Sequence, residues 1–167
     1  GVPGFDIDMN RIFPGSEEGA VTEHIATRIM EDISGADFCV DIHASNIFLR
    51  EILQVRMSEG TAEQLLPYAK LLNTDFIWVH GAATVLESTL AHGLNTSGVP
   101  TVVVEMGVGM RITKSYGLRL TEGILCLMKR LGIWEGETIA PKEPMTSDNR
   151  KIGLVHANTA GIFLPSM

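Results

Sequence analysis

The sequence has few cysteines, no excess of positive charge and no long hydrophobic run, and each absence narrows what the protein can do. Its 167 residues carry a formal net charge of −7. Binding to nucleic acid needs a basic face that neutralises phosphates, so this charge argues against nucleic acid and, more weakly, against an anionic membrane surface. No apolar run approaches the roughly 18 residues that a transmembrane helix requires, and no secretory signal is visible.

The two cysteines, Cys39 and Cys126, both lie inside apolar runs. No second Cys or His stands at metal-ligand spacing from either one, so a disulfide or a metal pair is the minor interpretation. We expect two buried free thiols in a reducing compartment and therefore a cytoplasmic protein.

Short apolar runs alternate with amphipathic stretches along the chain. Apolar residues recur every four positions from Val21 to Ile33, as they do in an amphipathic helix, and further helices are predicted at 61–72, 85–94 and 118–131. Nearly continuous or β-branched apolar runs predict strands at 37–42, 52–57, 76–79 and 101–104. This alternation predicts an α/β fold with a mostly parallel or mixed sheet flanked by helices.

The composition changes towards the end of the chain. Residues 1–134 carry the α/β pattern and are predicted to be a catalytic-type domain that is incomplete at its N-terminus. Residues 135–148 are polar and contain proline, like a linker, and 149–167 resemble the start of a β-rich C-terminal domain. Because the chain begins at Gly1 rather than Met and ends in a strand-like segment, we expect a fragment cut at both ends.

Ionisable residues stand where three of the predicted strands end: Asp41-Ile-His43, His80 and Glu105. Ligands of open α/β sheets bind beyond the carboxyl ends of the strands, so we expect all three groups at one edge. Asp41 and His43 are two residues apart and share a face, so the carboxylate can orient an imidazole whose other nitrogen holds a metal. A core histidine bonded to its neighbour is the alternative.

Glu105 and a polar N-terminal loop are further candidates. Glu105 follows four β-branched residues, where a carboxylate is either a general base with a raised pKa or a side chain that reaches solvent. Asn10 and Arg11 lie in a loop with two Asp, and Arg can hold a carboxylate through two parallel hydrogen bonds. A solvated surface turn is the alternative. Arg111, on the glycine-rich loop after Glu105, either binds a substrate acid or faces solvent.

Together these segments resemble a known family. Residues 8–15, Asp-Met-Asn-Arg-Ile-Phe-Pro-Gly, resemble the D-L-N-R-x-F-P-G motif of the succinylglutamate desuccinylase/aspartoacylase family, whose fold is similar to that of zinc carboxypeptidases. Asp41-Ile-His43 resembles the D-L-H segment of that family, and 103–107 resembles the segment with its catalytic Glu. The order and approximate spacing of the three segments match over nearly the whole chain.

The resemblance implies a zinc-dependent amidohydrolase that removes an acyl group from an N-acyl amino acid or similar small amide. It implies that His43 is a zinc ligand and that Glu105 is the general acid/base that activates a metal-bound water. It implies that Asn10 and Arg11 hold the substrate carboxylate and that Asp8 and Asp41 support the site from behind. The expected partner is a small molecule that carries a carboxylate.

Some of the metal ligands of this family do not occur in the sequence. None of the five His is followed by Glu three residues later, so the H-x-x-E motif that supplies two zinc ligands is missing. The resemblance implies that this motif lies upstream of Gly1. An arginine that polarises the scissile carbonyl is expected near Pro3 and is also missing. We therefore expect the chain as given neither to hold zinc tightly nor to hydrolyse a substrate.

Two other functions stay open: a zinc carboxypeptidase that acts on peptides, and a non-catalytic carboxylate-binding domain. The presence of Glu105 favours an enzyme, because a pure binding module has no use for a carboxylate beside the carboxylate of its ligand. The sequence contains no G-x-S-x-G nucleophile motif and no phosphate-binding loop. Exposed sheet edges leave a homo-oligomer open.

Overall fold

A computed structural model of the chain describes residues 7–44, 46–81, 87–148 and 159. The strands are β1 (Cys39–Ala44), β2 (Glu51–Ser58), β3 (Phe76–His80), β4 (Thr101–Gly107) and β5 (Met145–Asp148). The α-helices are α1 (Val21–Ile33), α2 (Glu59–Ala69), α3 (Leu90–Thr96) and α4 (Lys114–Arg130). Short 3-10 helices span Met9–Arg11 and Lys70–Leu72.

The five strands form one mixed sheet in the order β1-β4-β2-β3-β5. β1 pairs with β4, β2 with β3 and β3 with β5 in parallel, whereas β2 and β4 are antiparallel. The sheet therefore consists of two parallel groups that run in opposite directions. The predicted fold class, an α/β sheet flanked by helices, is confirmed.

One face of the sheet carries the hydrophobic core. Side chains of β2, β3 and β4 alternate in direction, so every second residue points to this face. They pack against buried residues of α2, the second 3-10 helix and α4. The largest fully buried side chains include Leu53, Leu65, Leu72, Ile77 and Val104. Burial of each such side chain stabilises the fold by roughly 1.5–3 kcal/mol. The opposite face of the sheet carries Gln54, Arg56 and Glu105.

The predicted elements are found with shifted ends. β1 begins at Cys39 and runs past His43, so it lies about two residues later than the apolar run indicated, and α4 already begins at Lys114. Residues 85 and 86 of the helix predicted at 85–94 lie outside the described residues, and the described helix covers Leu90–Thr96.

β5 lies inside the segment that was predicted as a linker, 135–148. Its four residues, Met-Thr-Ser-Asp, have no apolar alternation that would indicate a strand. They join the sheet through backbone pairing with β3, and the N–H of Met145 donates to the carbonyl of Asp75. The domain division stays a prediction, since 149–167 is outside the described residues except for 159.

No helix within the described ranges is both long enough and apolar enough to cross a membrane.

Candidate active site

β1 and β4 bring two candidate site residues side by side. In their parallel register His43 lies opposite Glu105, and Asp41 lies opposite Val103. Both strands end at the same edge, so the imidazole-bearing and carboxylate-bearing residues stand together there. The sequence reasoning that placed these two strand ends at one edge thus agrees with the structure.

Asp41 and His43 are in close contact. Oδ2 of Asp41 lies 3.0 Å from Nε2 of His43, and the side chains are 13% and 30% exposed. Both atoms are buried, and their contact is an ion pair when the imidazole is protonated. Contact with the Asp41 carboxylate raises the pKa of His43, while burial acts in the opposite direction. Because this contact uses Nε2, the other ring nitrogen, Nδ1, is left for a metal or another partner.

Glu105 is a partly buried carboxylate at the end of β4. Its side chain is 16% exposed. Burial raises the pKa of Glu105 above its usual range, because the charged form loses solvation, and the nearby guanidinium of Arg56 opposes this effect. A carboxyl group with a raised pKa at the edge of a sheet has the property that a general base needs.

Arg56 and Glu51 are site residues that the sequence reasoning missed. Nη1 of Arg56 lies 3.5 Å from Oε1 of Glu105, and Nη2 of Arg56 donates to Oε2 of Glu51 at 2.5 Å. The register between β2 and β4 shifts between Glu51 and Gln54, which lets Glu51 reach the same face as Gln54 and Arg56. The available signal was a single arginine inside the apolar run 52–57.

The loop with Asp8, Asn10 and Arg11 is built on local hydrogen bonds. Oδ1 of Asp8 accepts from the N–H of Asn10 at 3.0 Å and caps the first 3-10 helix. Oδ1 of Asn10 accepts from the N–H of Leu90 at 2.8 Å, which ties the loop to the start of α3. The side chain of Arg11 is exposed, and its Nη1 donates to the carbonyl of Asn10 at 2.6 Å. The substrate-binding roles of Asn10 and Arg11 stay predictions.

Gly15, the last residue of the same motif, fits a close approach between this loop and α1. Its φ is +83°, and a Cβ there would meet the carbonyl oxygen of Glu23 at 2.2 Å. Any other residue would be strained in this backbone conformation and would push the loop off the helix.

The expectation that His80 lies at the edge of His43 and Glu105 is wrong. β3 is parallel to β2, and β2 is antiparallel to β4, so the carboxyl end of β3 points to the opposite edge. The ring of His80 instead packs edge-on against Trp78, with the centroids 5.9 Å apart. Arg111 is exposed on the loop after β4, and its role in binding a substrate acid stays a prediction.

The described residues supply one candidate metal ligand rather than a complete set. Among 7–44, 46–81 and 87–148, no group of three or more His, Cys, Asp or Glu side chains could hold a metal ion. His43 is the imidazole that fits a ligand role. Cys126 is a buried free thiol, as predicted. Cys39 is also a free thiol, but it is only half-buried.

A comparison with models of protein families shows which family the chain belongs to. The sequence model of the Succinylglutamate desuccinylase/Aspartoacylase catalytic domain matches residues 4–131. The chain belongs to this family. The matching model is that of a catalytic domain, so the family predicted from the sequence is confirmed. No curated protein matches the chain.

Solved structures share the fold. The product-bound ectoine utilization protein EutE (DoeB) from Ruegeria pomeroyi is 21% identical, with a TM-score of 0.77 over 87% of this chain and 45% of that chain. A succinylglutamate desuccinylase/aspartoacylase from Rhodobacter sphaeroides is 23% identical, with a TM-score of 0.72 over 87% of this chain and 45% of that one. The chain thus spans slightly less than half the length of these two proteins.

Proposed function

We propose that the protein acts as an amidohydrolase that removes the acyl group from an N-acyl amino acid or a similar small amide. Membership of a family of deacylating hydrolases supports this proposal. The observation that carries it is the pairing of His43 and Glu105 across β1 and β4, with burial raising the pKa of the Glu105 carboxyl group.

In this reaction Glu105 carries the proton. Its carboxylate takes a proton from water, and the water oxygen adds to the carbonyl carbon of the amide. Glu105 then gives the proton to the amide nitrogen as the C–N bond breaks. The products are a carboxylic acid from the acyl group and the free amine of the amino acid. The raised pKa of Glu105 brings it nearer to neutral pH, where a group can both accept and return a proton.

Zinc is part of the proposal, and His43 would be one of its ligands. A bound zinc ion lowers the pKa of water from 15.7 to about 7. A catalytic zinc takes three protein ligands, and the other two are proposed to come from segments other than the described residues. Asp41 holds the imidazole from its other side, which fixes the ring orientation in a metal site.

Recognition of the substrate carboxylate is assigned to the polar loop. Arg11 has an exposed guanidinium. Asn10 accepts from the backbone N–H of Leu90 with Oδ1, so its Nδ2 group is the part proposed to donate to the substrate carboxylate. Asp8 supports both by capping the turn that carries them. Arg111 is a further candidate for the same carboxylate.

The test of this function is the Glu105→Gln variant of the full-length protein, assayed with zinc on N-succinylglutamate and N-acetylaspartate. We expect kcat to fall by roughly 10²- to 10⁴-fold, the usual contribution of general acid–base catalysis. The matched control is Glu63→Gln, at an exposed position on α2, which should keep normal turnover. A near-normal kcat in the Glu105 variant would remove that residue from its role. Cleavage of peptides in place of N-acyl amino acids would favour the carboxypeptidase instead.

A further inference from the structure

Arg56 occupies the centre of the polar face of the sheet. It lies on β2, opposite Val103 of β4 on one side and Trp78 of β3 on the other. Gln54, two residues earlier on the same strand, is the register partner of Glu105. Side chains two residues apart share a face, so the guanidinium of Arg56 stands on the same side of the sheet as the Glu105 carboxylate.

The guanidinium contacts two carboxylates with its two terminal nitrogens. Nη2 donates to Oε2 of Glu51 at 2.5 Å, whereas Nη1 lies 3.5 Å from Oε1 of Glu105. The contact with Glu51 is a short charge-assisted hydrogen bond and the contact with Glu105 is looser. Glu51 therefore anchors the arginine more closely than Glu105 does.

Two further contacts restrict this arginine. Its guanidinium carbon lies 5.3 Å from the centroid of the Trp78 ring, within the range of a cation–π interaction. Gln54 donates to the same Oε2 of Glu51 at 2.6 Å, which limits the movement of that carboxylate. Arg56, Glu51 and Glu105 are only 28%, 15% and 16% exposed, so solvent screens their interactions less than those of surface pairs.

We propose that Arg56 is the positioning residue for Glu105. Its guanidinium, anchored by Glu51 and Trp78, sets where the Glu105 carboxylate lies and balances the charge of two neighbouring carboxylates. The inference rests on the proposed function for its effect on turnover, because Glu105 is the proton carrier there. The physical coupling between the side chains of Arg56 and Glu105 does not depend on the proposed function.

The kinetic test uses Arg56→Gln in the full-length protein. Because a misplaced carboxylate slows the chemical step, we expect kcat to fall by up to about 100-fold with little change in KM. Arg56→Lys should recover part of the loss, since lysine keeps the charge but not the two-pronged geometry. In an Arg56→Gln, Glu105→Gln double variant the rate should equal that of Glu105→Gln alone. The matched control is Arg28→Gln, because Arg28 also pairs with two glutamates but does so on the exposed surface of α1.

A second measurement needs no substrate. The urea midpoints of Arg56→Gln, Glu105→Gln and the double variant should be non-additive, with the double variant losing less than the sum of the single losses. Additive losses would overturn the inference whatever the enzyme assay shows. If Arg56→Gln has a normal kcat while Glu105→Gln is inactive, the positioning role of Arg56 is overturned as well. The proposed function would not be affected by that result. Absence of any turnover in the wild-type protein would count against the proposed function alone.

Discussion

Asp41 Oδ2 lies 3.0 Å from Nε2 of His43, two residues further along the same strand. Contact with this carboxylate is the largest cause of the raised pKa of His43. We therefore expect Asp41→Asn to lower the pKa of His43, because the imidazolium loses the negative charge that favours it. The measurement is an NMR titration of the His43 ring in metal-free protein.

Asp37→Asn is the matched control for this titration. Asp37 is exposed and stands two residues before β1, so its loss should leave the His43 titration unchanged. An unshifted His43 pKa in the Asp41 variant would show that the carboxylate does not hold the imidazole.

The sequence predicts much of this site because strand ends and the 8–15 motif are local features. His43 and Glu105 could be placed at one edge, since both follow apolar runs that end in a polar residue. The error with His80 arose because hydrophobic patterning does not encode strand direction. A short apolar run has the same composition whether it pairs parallel or antiparallel, and here the β2–β4 pairing reverses β3.

Arg56 and Glu51 were not predicted as site residues, for a related reason. Their contact depends on the irregular register between Glu51 and Gln54, which brings residues an odd number of positions apart onto one face. Strict alternation along a strand would have put Glu51 and Arg56 on opposite faces. Gln54 and Arg56, two polar residues within an otherwise apolar strand, were the indication that this face carries polar groups.

Two glycines of α4 should respond in opposite ways to alanine. A Cβ at Gly123 would lie 2.2 Å from the carbonyl carbon of Leu72, whereas a Cβ at Gly117 would meet nothing within 4 Å. We expect Gly123→Ala to destabilise the fold by about 1–3 kcal/mol through overpacking. Gly117→Ala should stabilise it by roughly 0.5–1 kcal/mol, because alanine loses less backbone entropy in a helix.

Urea unfolding followed by circular dichroism measures both free energies. Gly117→Ala serves as the control, since it makes the same chemical change in the same helix. Equal stabilisation by both substitutions would contradict the tight packing of α4 against the 3-10 helix at Lys70–Leu72.

Asp75 should make stability depend on pH in acid. Its carboxylate accepts from Arg119 at 2.9 and 3.1 Å and from Lys142 at 2.7 Å, and the hydrogen bond from Arg119 is the largest cause that lowers the pKa of Asp75 below its ordinary 3.8. A lowered pKa in the folded state contributes stability that is fully present above 3.8 and is lost as pH falls through the lowered pKa.

Asp75→Asn should therefore cost about 2 kcal/mol at pH 7, the scale of hydrogen bonds to charged groups. The difference in unfolding free energy between wild type and variant should shrink as pH falls below 3.8. Asp32→Asn, at an exposed position of α1, is the control that should show neither effect. A difference that stays constant down to the lowest pH at which the protein folds would argue against the ion pair as its source.

The 167-residue chain should bind zinc only weakly on its own. Zinc in a catalytic site takes three protein ligands, and affinity rises with each ligand added. The described residues contain no cluster of three metal-binding side chains, and His43 is the single candidate in a suitable place. We therefore expect the purified 167-residue chain to retain well below one zinc per molecule after dialysis, measured by elemental analysis.

His43→Ala should lower any residual zinc, whereas His92→Ala, at an exposed position of α3, should not. One tightly held zinc per chain would mean that its ligands come from residues outside the described ranges or from a neighbouring chain. Stoichiometric zinc that survived His43→Ala would remove His43 from the proposed site.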